Sequence, residues 1–185
     1  MKFELQKGDL SDEVTEIYLN SKFISVDTET LGLNNLRDKL CLVQLCNEDE
    51  KVILLQISSK DTPNLKKTLE SENSTKLFHY ARFDLAILKH DLAINVKNPY
   101  CTKIVSKLVR TYTDKHGLKN LVSELLGIDL DKSSQTTDWS EPELSKKQLE
   151  YAANDVLFLV RLREKLELKL KRENRSHLAE ECFKF

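Results

Sequence analysis

The sequence predicts an α/β fold: a mixed, roughly five-stranded sheet flanked by helices. Three observations predict it. Short β-branched runs crowd the first half of the chain, and helix-period apolar repeats fill the second. Between them, a strand leads into a helix and then another strand, the order of a parallel βαβ unit. The 185 residues suit one domain, taken as 1–185. A chain of this size buries ~70% of its unfolded surface, enough to hold a core without disulfides or zinc.

Phe23–Glu29, Leu40–Cys46 and Lys51–Ile57 are the first three strands, short and alternating or almost continuously apolar. The link Asn47–Glu50 is short and polar, so the second and third strands form an antiparallel hairpin. Thr62-Pro63 is a helix start, with the threonine as N-cap and the proline at the first helical position, and the helix carries Leu65 and Leu69. Thr75–Tyr80 is a fourth strand running into the apolar-periodic segment Phe83–Leu92. Ile104, Val105, Leu108 and Val109 then repeat at helix spacing, as do Leu118, Leu121, Val122, Leu125 and Leu126 before a C-capping Gly127. Ser145-Lys146-Lys147-Gln148 has the capping-box pattern and opens a long helix through Leu149, Ala152, Ala153, Val156 and Val160.

Charge and composition narrow the function. Lys and Arg total 29 against 30 Asp and Glu, a net charge of −1, with 40% apolar and 32% charged residues. That is a soluble globular composition. It argues against coating long nucleic acid through a general basic field, but leaves room for a local basic groove. The four cysteines form no Cys-x-x-Cys pair and stand at no zinc spacing with histidine, so buried reduced thiols in a reducing compartment are expected. Met1–Lys7 has no apolar run suited to a signal peptide, and nothing approaches the ~18 apolar residues of a membrane span. The expected location is the cytoplasm, with no membrane partner.

Acids among apolar residues mark the candidate site. Asp27 and Glu29 end the first strand and, at a period of two, face the same way. Two like charges this close raise each other's pKa unless a cation lies between them. Asp84 falls in the first turn of its helix, where the helix dipole alone would also favour an acid. Tyr151 and Asp155 are one turn apart, in a stripe beside Ala152 and Val156. A structural salt bridge is the plain alternative for Asp155. Four carboxylates converging from a strand end, a helix start and a late helix make an all-oxygen set suited to Mg²⁺ or Mn²⁺ rather than zinc. Two ions ~3.5–4 Å apart would clamp a phosphodiester during in-line displacement, leaving Tyr151 to orient the water.

Val26-Asp27-Thr28-Glu29-Thr30-Leu31-Gly32-Leu33, His79-Tyr80-Ala81-Arg82-Phe83-Asp84 and Tyr151-Ala152-Ala153-Asn154-Asp155-Val156 resemble the three exonuclease motifs of the DEDDy 3'-5' exonucleases. That branch contains ribonuclease D and has a ribonuclease H-like fold. The resemblance implies Asp27, Glu29, Asp84 and Asp155 as catalytic metal ligands and Tyr151 as the tyrosine that positions the nucleophilic water. Arg82–Leu88 and Cys101–Lys107, with Arg110–Lys119, further resemble the bacterial nanoRNase C group, compact enzymes that degrade dinucleotides and assemble as octameric rings. Two departures from ribonuclease D stand out. Its helical RNA-binding domains are not expected within these 185 residues, and Cys101 stands where many DEDDy enzymes have an aspartate.

Residues 97–120 hold six basic side chains (Lys97, Lys103, Lys107, Arg110, Lys115, Lys119) and one acid, Asp114. Lys103, Lys107 and Arg110 share a helical face opposite the Ile104/Leu108 stripe, which would otherwise read as a solvated surface. By the resemblance, Tyr112, His116 and Lys119 form a cap over a substrate 5' phosphate, and Leu31 wedges between terminal bases. His79 and Arg82 complete the expected substrate-binding set. Trp139, in Gln135-Thr136-Thr137-Asp138-Trp139, resembles a ribonuclease D stretch and reads as an anchor.

The expected function is a two-metal 3'-5' exoribonuclease that degrades short single-stranded RNA, or DNA of similar length, to nucleoside 5'-monophosphates as a homo-oligomer. The alternatives are a ribonuclease D-like trimmer of longer RNA or DNA ends and a catalytically silent nucleic-acid-binding module. A charge of −1 gains little from long-range phosphate attraction, which favours the short substrate.

Overall fold

The structure is a computed structural model that describes residues 2–130 and 137–184. Its elements run β1 (Phe3–Lys7), α1 (Asp12–Leu19), β2 (Phe23–Thr30), β3 (Leu40–Asn47), β4 (Val52–Gln56), α2 (Pro63–Glu70), β5 (Thr75–Phe78), α3 (Ala81–Leu92) and β6 (Pro99–Cys101). The helices α4 (Thr102–Val109), α5 (Leu118–Leu126), α6 (Lys146–Leu157), α7 (Leu159–Arg172) and α8 (Ser176–Cys182) complete it. The strand order is β1-β4-β3-β2-β5-β6, with β3 antiparallel to both neighbours and every other pair parallel. This is the expected α/β architecture with six strands rather than five. The added strand, β1, is an edge strand; only Phe3 and Leu5 alternate in it, and its side chains are mostly half-exposed.

Hydrophobic burial explains the layering. All eight residues of β3 are buried, so this strand is covered on both faces. On one face Val26, Val43, Leu45, Ile53 and Leu55 pack with Leu65 and Leu69 of α2 and Ile87 and Leu88 of α3. On the other, Leu42, Cys46 and Leu54 meet Ala152, Ala153 and Val156 of α6. Beside them Leu77 and Tyr100 pack against α4, α5 and α7. Burying one leucine or valine side chain contributes about 1.5–3 kcal/mol, so these layers dominate the stability of the fold.

Several local expectations change. Thr62 occupies the N-cap position of α2, but its hydroxyl makes no cap; Asp9 instead accepts from Asn64 N at 2.8 Å and Leu65 N at 2.9 Å. A carboxylate from a distant loop outcompetes the local hydroxyl because it reaches two orphan donors at once. The strand expected over Thr75–Tyr80 stops at Phe78, since Tyr80 turns left-handed (φ 83°) to start α3. Ser145 and Gln148 do form both arms of the capping box. The long helix they open breaks at Phe158 (φ −101°, ψ −4°) into α6 and α7, because the side chains must turn from the β3 and β4 layer to that of β5 and β6. Gly127 ends α5 at φ 70°, a conformation that glycine adopts without strain. Among the described residues, no helix is long and apolar enough to cross a membrane.

Candidate active site

The central strand β2 delivers Asp27 and Glu29, and α6, lying over β2 to β4, delivers Tyr151 and Asp155 above them. One carboxylate oxygen from each of Asp27, Glu29 and Asp155 lies within 4.8 Å of the others. Asp84 arrives from the first turn of α3, is buried, and accepts from Thr28 Oγ1 at 2.7 Å. All five predicted catalytic residues therefore meet at one end of β2.

Electrostatics sets the character of this meeting. Burial, then the charges of Asp84, Asp155 and Glu29, push the Asp27 carboxyl well above the carboxylate range. Glu29 is pushed up to about 9 by burial first, then by Asp155 and Asp84. Burial raises Asp84 to about 7 against the opposing Thr28 hydroxyl. The Tyr151 phenol is driven up by burial, by Asp155 and Glu29, and by its hydrogen bond to Asp155, so it stays protonated. Among the described residues no cation offsets the repulsion at Asp27 or Glu29. An oxygen-only donor set whose members repel one another fits a hard divalent cation such as Mg²⁺ or Mn²⁺.

Asp27, Glu29, Asp155 and Tyr151 open onto a cleft of about 620 Å³. Of the expected substrate residues, Leu31, His79 and Lys119 line it. The other three lie elsewhere. Arg82 faces a second cavity beside Phe183, the Tyr112 hydroxyl donates to Glu124 at 2.6 Å, and His116 Nδ1 is paired with Ser106 Oγ at 2.8 Å. Burial and the charges of Arg110 and Lys107 lower the His116 pKa, which suits a neutral ring accepting from Ser106. Arg110, expected on a basic surface face, is fully buried; its guanidinium grips Glu124, the Ser106 hydroxyl and the Lys115 carbonyl.

The cleft is also lined by Tyr80, which the sequence does not mark, and by Lys103, expected only as part of the basic helical face. Tyr80 is 53% exposed at its left-handed turn, and the Lys103 ammonium lies 4.4 Å from its ring centroid. Thr102 ties their two junctions together. Its hydroxyl donates to the Phe78 carbonyl at 3.0 Å, so the 2.9 Å contact with His79 Nδ1 must be donated by the histidine. A left-handed tyrosine has no sequence signal of the kind that glycine provides. Trp139 is buried with its ring 6.2 Å from that of Tyr151, in the anchoring place expected for it; Gln135 and Thr136 lie outside the described residues.

Residues 4–171 match the 3'-5' exonuclease family. Ribonuclease D of Gluconacetobacter diazotrophicus is 34% identical over 163 residues, covering 88% of this chain and 41% of that protein. The chain thus spans about two fifths of the length of the curated ribonuclease D relatives it matches. Among solved structures, Brucella melitensis NrnC bound to pGG superposes with a TM-score of 0.94 at 46% identity, covering 100% of this chain and 89% of that one. The same protein with bound Mg²⁺ gives 0.93 at 45%, covering 100% and 90%. Escherichia coli RNase D, an exoribonuclease involved in structured RNA processing, gives 0.86 at 26%, covering 98% of this chain and 49% of that one.

Proposed function

The chain belongs to the ribonuclease D-like 3'-5' exonucleases of the DEDDy type, and from that premise we propose that it hydrolyses short oligoribonucleotides, dinucleotides above all, to nucleoside 5'-monophosphates. The observation that carries the reading is the meeting of Asp27, Glu29 and Asp155 within 4.8 Å at the floor of the cleft. Water adds across the last phosphodiester. The bond from phosphorus to the 3' oxygen breaks, the terminal nucleotide leaves with its 5' phosphate, and the preceding sugar regains a 3' hydroxyl. Two divalent cations held by Asp27, Glu29, Asp84 and Asp155 would neutralise the phosphate and acidify the attacking water. Tyr151, protonated and held by Asp155, orients that water through its hydroxyl. Leu31 and Tyr80 offer apolar surface to the bases, and Lys103 and Lys119 offer charge to the phosphates.

Substrate length rests on two supports. The cleft is small, with few basic side chains along it, and the similar Brucella protein binds pGG. The likeness to E. coli RNase D favours a second reading, trimming of longer RNA ends. Purified protein with Mg²⁺ should be given a 5'-labelled dinucleotide and a 5'-labelled 20-nucleotide RNA, each followed on a denaturing gel. Rapid loss of the dinucleotide beside a slowly shortening 20-mer is expected. An untouched dinucleotide beside a shortening 20-mer establishes the trimmer instead. No hydrolysis of either would leave the binding module. Assembly as a homo-oligomer, octameric by resemblance, belongs to the same proposal and is read by light scattering.

A further inference from the structure

Directly across the sheet from Asp27 stands Gln44 of β3. Opposed residues of an antiparallel pair project to the same face, with Cβ atoms about 5 Å apart. That face lies under α6, since Leu42 and Cys46, two positions to either side of Gln44, pack with Ala152, Ala153 and Val156. Gln44 is 0% exposed, and among the described residues neither its amide nitrogen nor its amide oxygen has a hydrogen-bond partner. Ser25, two residues before Asp27 on the same face, is also fully buried, and its hydroxyl has no hydrogen-bond partner among the described residues. Leu54, the β4 neighbour of Gln44, belongs to the apolar cluster under α6. An unpaired buried amide destabilises a fold, and a methionine of similar length would avoid that cost while filling the same space. Gln44 therefore serves something that the fold alone does not use.

We propose that Gln44 is a positioning residue of the metal site: with a divalent cation on the carboxylates, its amide nitrogen donates to the Asp27 oxygen turned away from that cation. The inference rests on the metal-site reading given above. A carboxylate held at one oxygen presents the other in a fixed direction, which is how an outer layer of hydrogen bonds tunes a metal site. Ser25, the diagonal neighbour of Gln44, donates its hydroxyl to the amide oxygen and so decides which end of the amide faces Asp27.

Gln44→Met tests this by separating stability from metal binding. Thermal melts without metal and calorimetric titration with Mn²⁺ are compared between variant and wild type. The expected result is a metal-free Tm equal to or above that of wild type, with Mn²⁺ affinity lowered about 10- to 100-fold. Gln44→Leu should give the same pattern if methionine overpacks the layer. Unchanged affinity beside normal wild-type binding overturns this inference alone, as does weaker binding that comes with a lower metal-free Tm. Wild-type protein that takes up no Mn²⁺ removes the metal-site reading, and this inference with it.

Discussion

Removing one oxygen atom tests the chemistry at close range. In Tyr151→Phe the ring keeps its place 6.2 Å from Trp139, while the hydroxyl next to Asp155 is lost. A hydrogen bond to a charged group is worth about 1.5–3 kcal/mol. If the hydroxyl orients the attacking water, that energy leaves the transition state and kcat falls about 10- to 150-fold. The fold loses the bond to Asp155, about 1–3 kcal/mol, at about 2–4 °C of Tm per kcal/mol for a domain of this size, so rates are compared well below the variant's Tm. The assay is steady-state release of mononucleotide from a dinucleotide at saturating Mg²⁺, with a parallel Mg²⁺ titration. A kcat within threefold of wild type refutes the reasoning. So does a loss confined to KM or to the Mg²⁺ requirement, since either would make the tyrosine a binding group.

Other expectations concern stability and substrate. Asp27, Glu29 and Asp84 hold their protons in the metal-free fold above the pH at which the unfolded chain releases them. The native state therefore binds more protons, and stability is lost as pH rises, through about 7 for Asp84 and about 9 for Glu29. Calorimetry in chelator should show Tm falling from pH 6 to 9, with saturating Mg²⁺ abolishing the fall; a flat metal-free profile contradicts the carboxylate cluster. Arg110→Met leaves the Lys115 carbonyl without its donor and takes from the Ser106 hydroxyl one of its two partners, the other being His116, and should cost about 3 kcal/mol, whereas Glu124→Gln, at a partner 42% exposed, should cost about 1 kcal/mol. Equal losses in chemical denaturation would show that the ion pair, and not the buried hydrogen bonds, carries the network. Lys103→Gln should raise the dinucleotide KM about tenfold with kcat within twofold, and flatten its salt dependence. A kcat effect instead would move Lys103 out of a binding role.

What was legible in the chain was what obeys a period. Asp27 and Glu29 could be placed on one face because strands alternate, and Tyr151 with Asp155 because a helix repeats within one turn. β2, β3 and β4 were legible because burial on both sides makes their apolar runs almost continuous. Features that depend on distant partners were not. The helical wheel groups Arg110 with Lys103 and Lys107, yet Arg110 ends α4 and turns inward to Glu124, on the next helix. The cap of α2 comes from Asp9, which no reading of Thr62-Pro63 reveals. The apolar pattern runs unbroken through Phe158, so the break between α6 and α7 follows from the two surfaces those helices cover. Tyr80 faces the cleft through a backbone turn that its residue type disfavours. Short elements such as β1 and α1 carry too few apolar positions to stand out.

The proposed function stands on a carboxylate cluster that binds two divalent cations. Crystals soaked in Mn²⁺ and measured for anomalous scattering test it most directly. Two peaks are expected among the carboxylate oxygens of Asp27, Glu29, Asp84 and Asp155, roughly 3.5–4 Å apart. Mn²⁺ density confined to other surface carboxylates, with none between Asp27, Glu29 and Asp155, would contradict it.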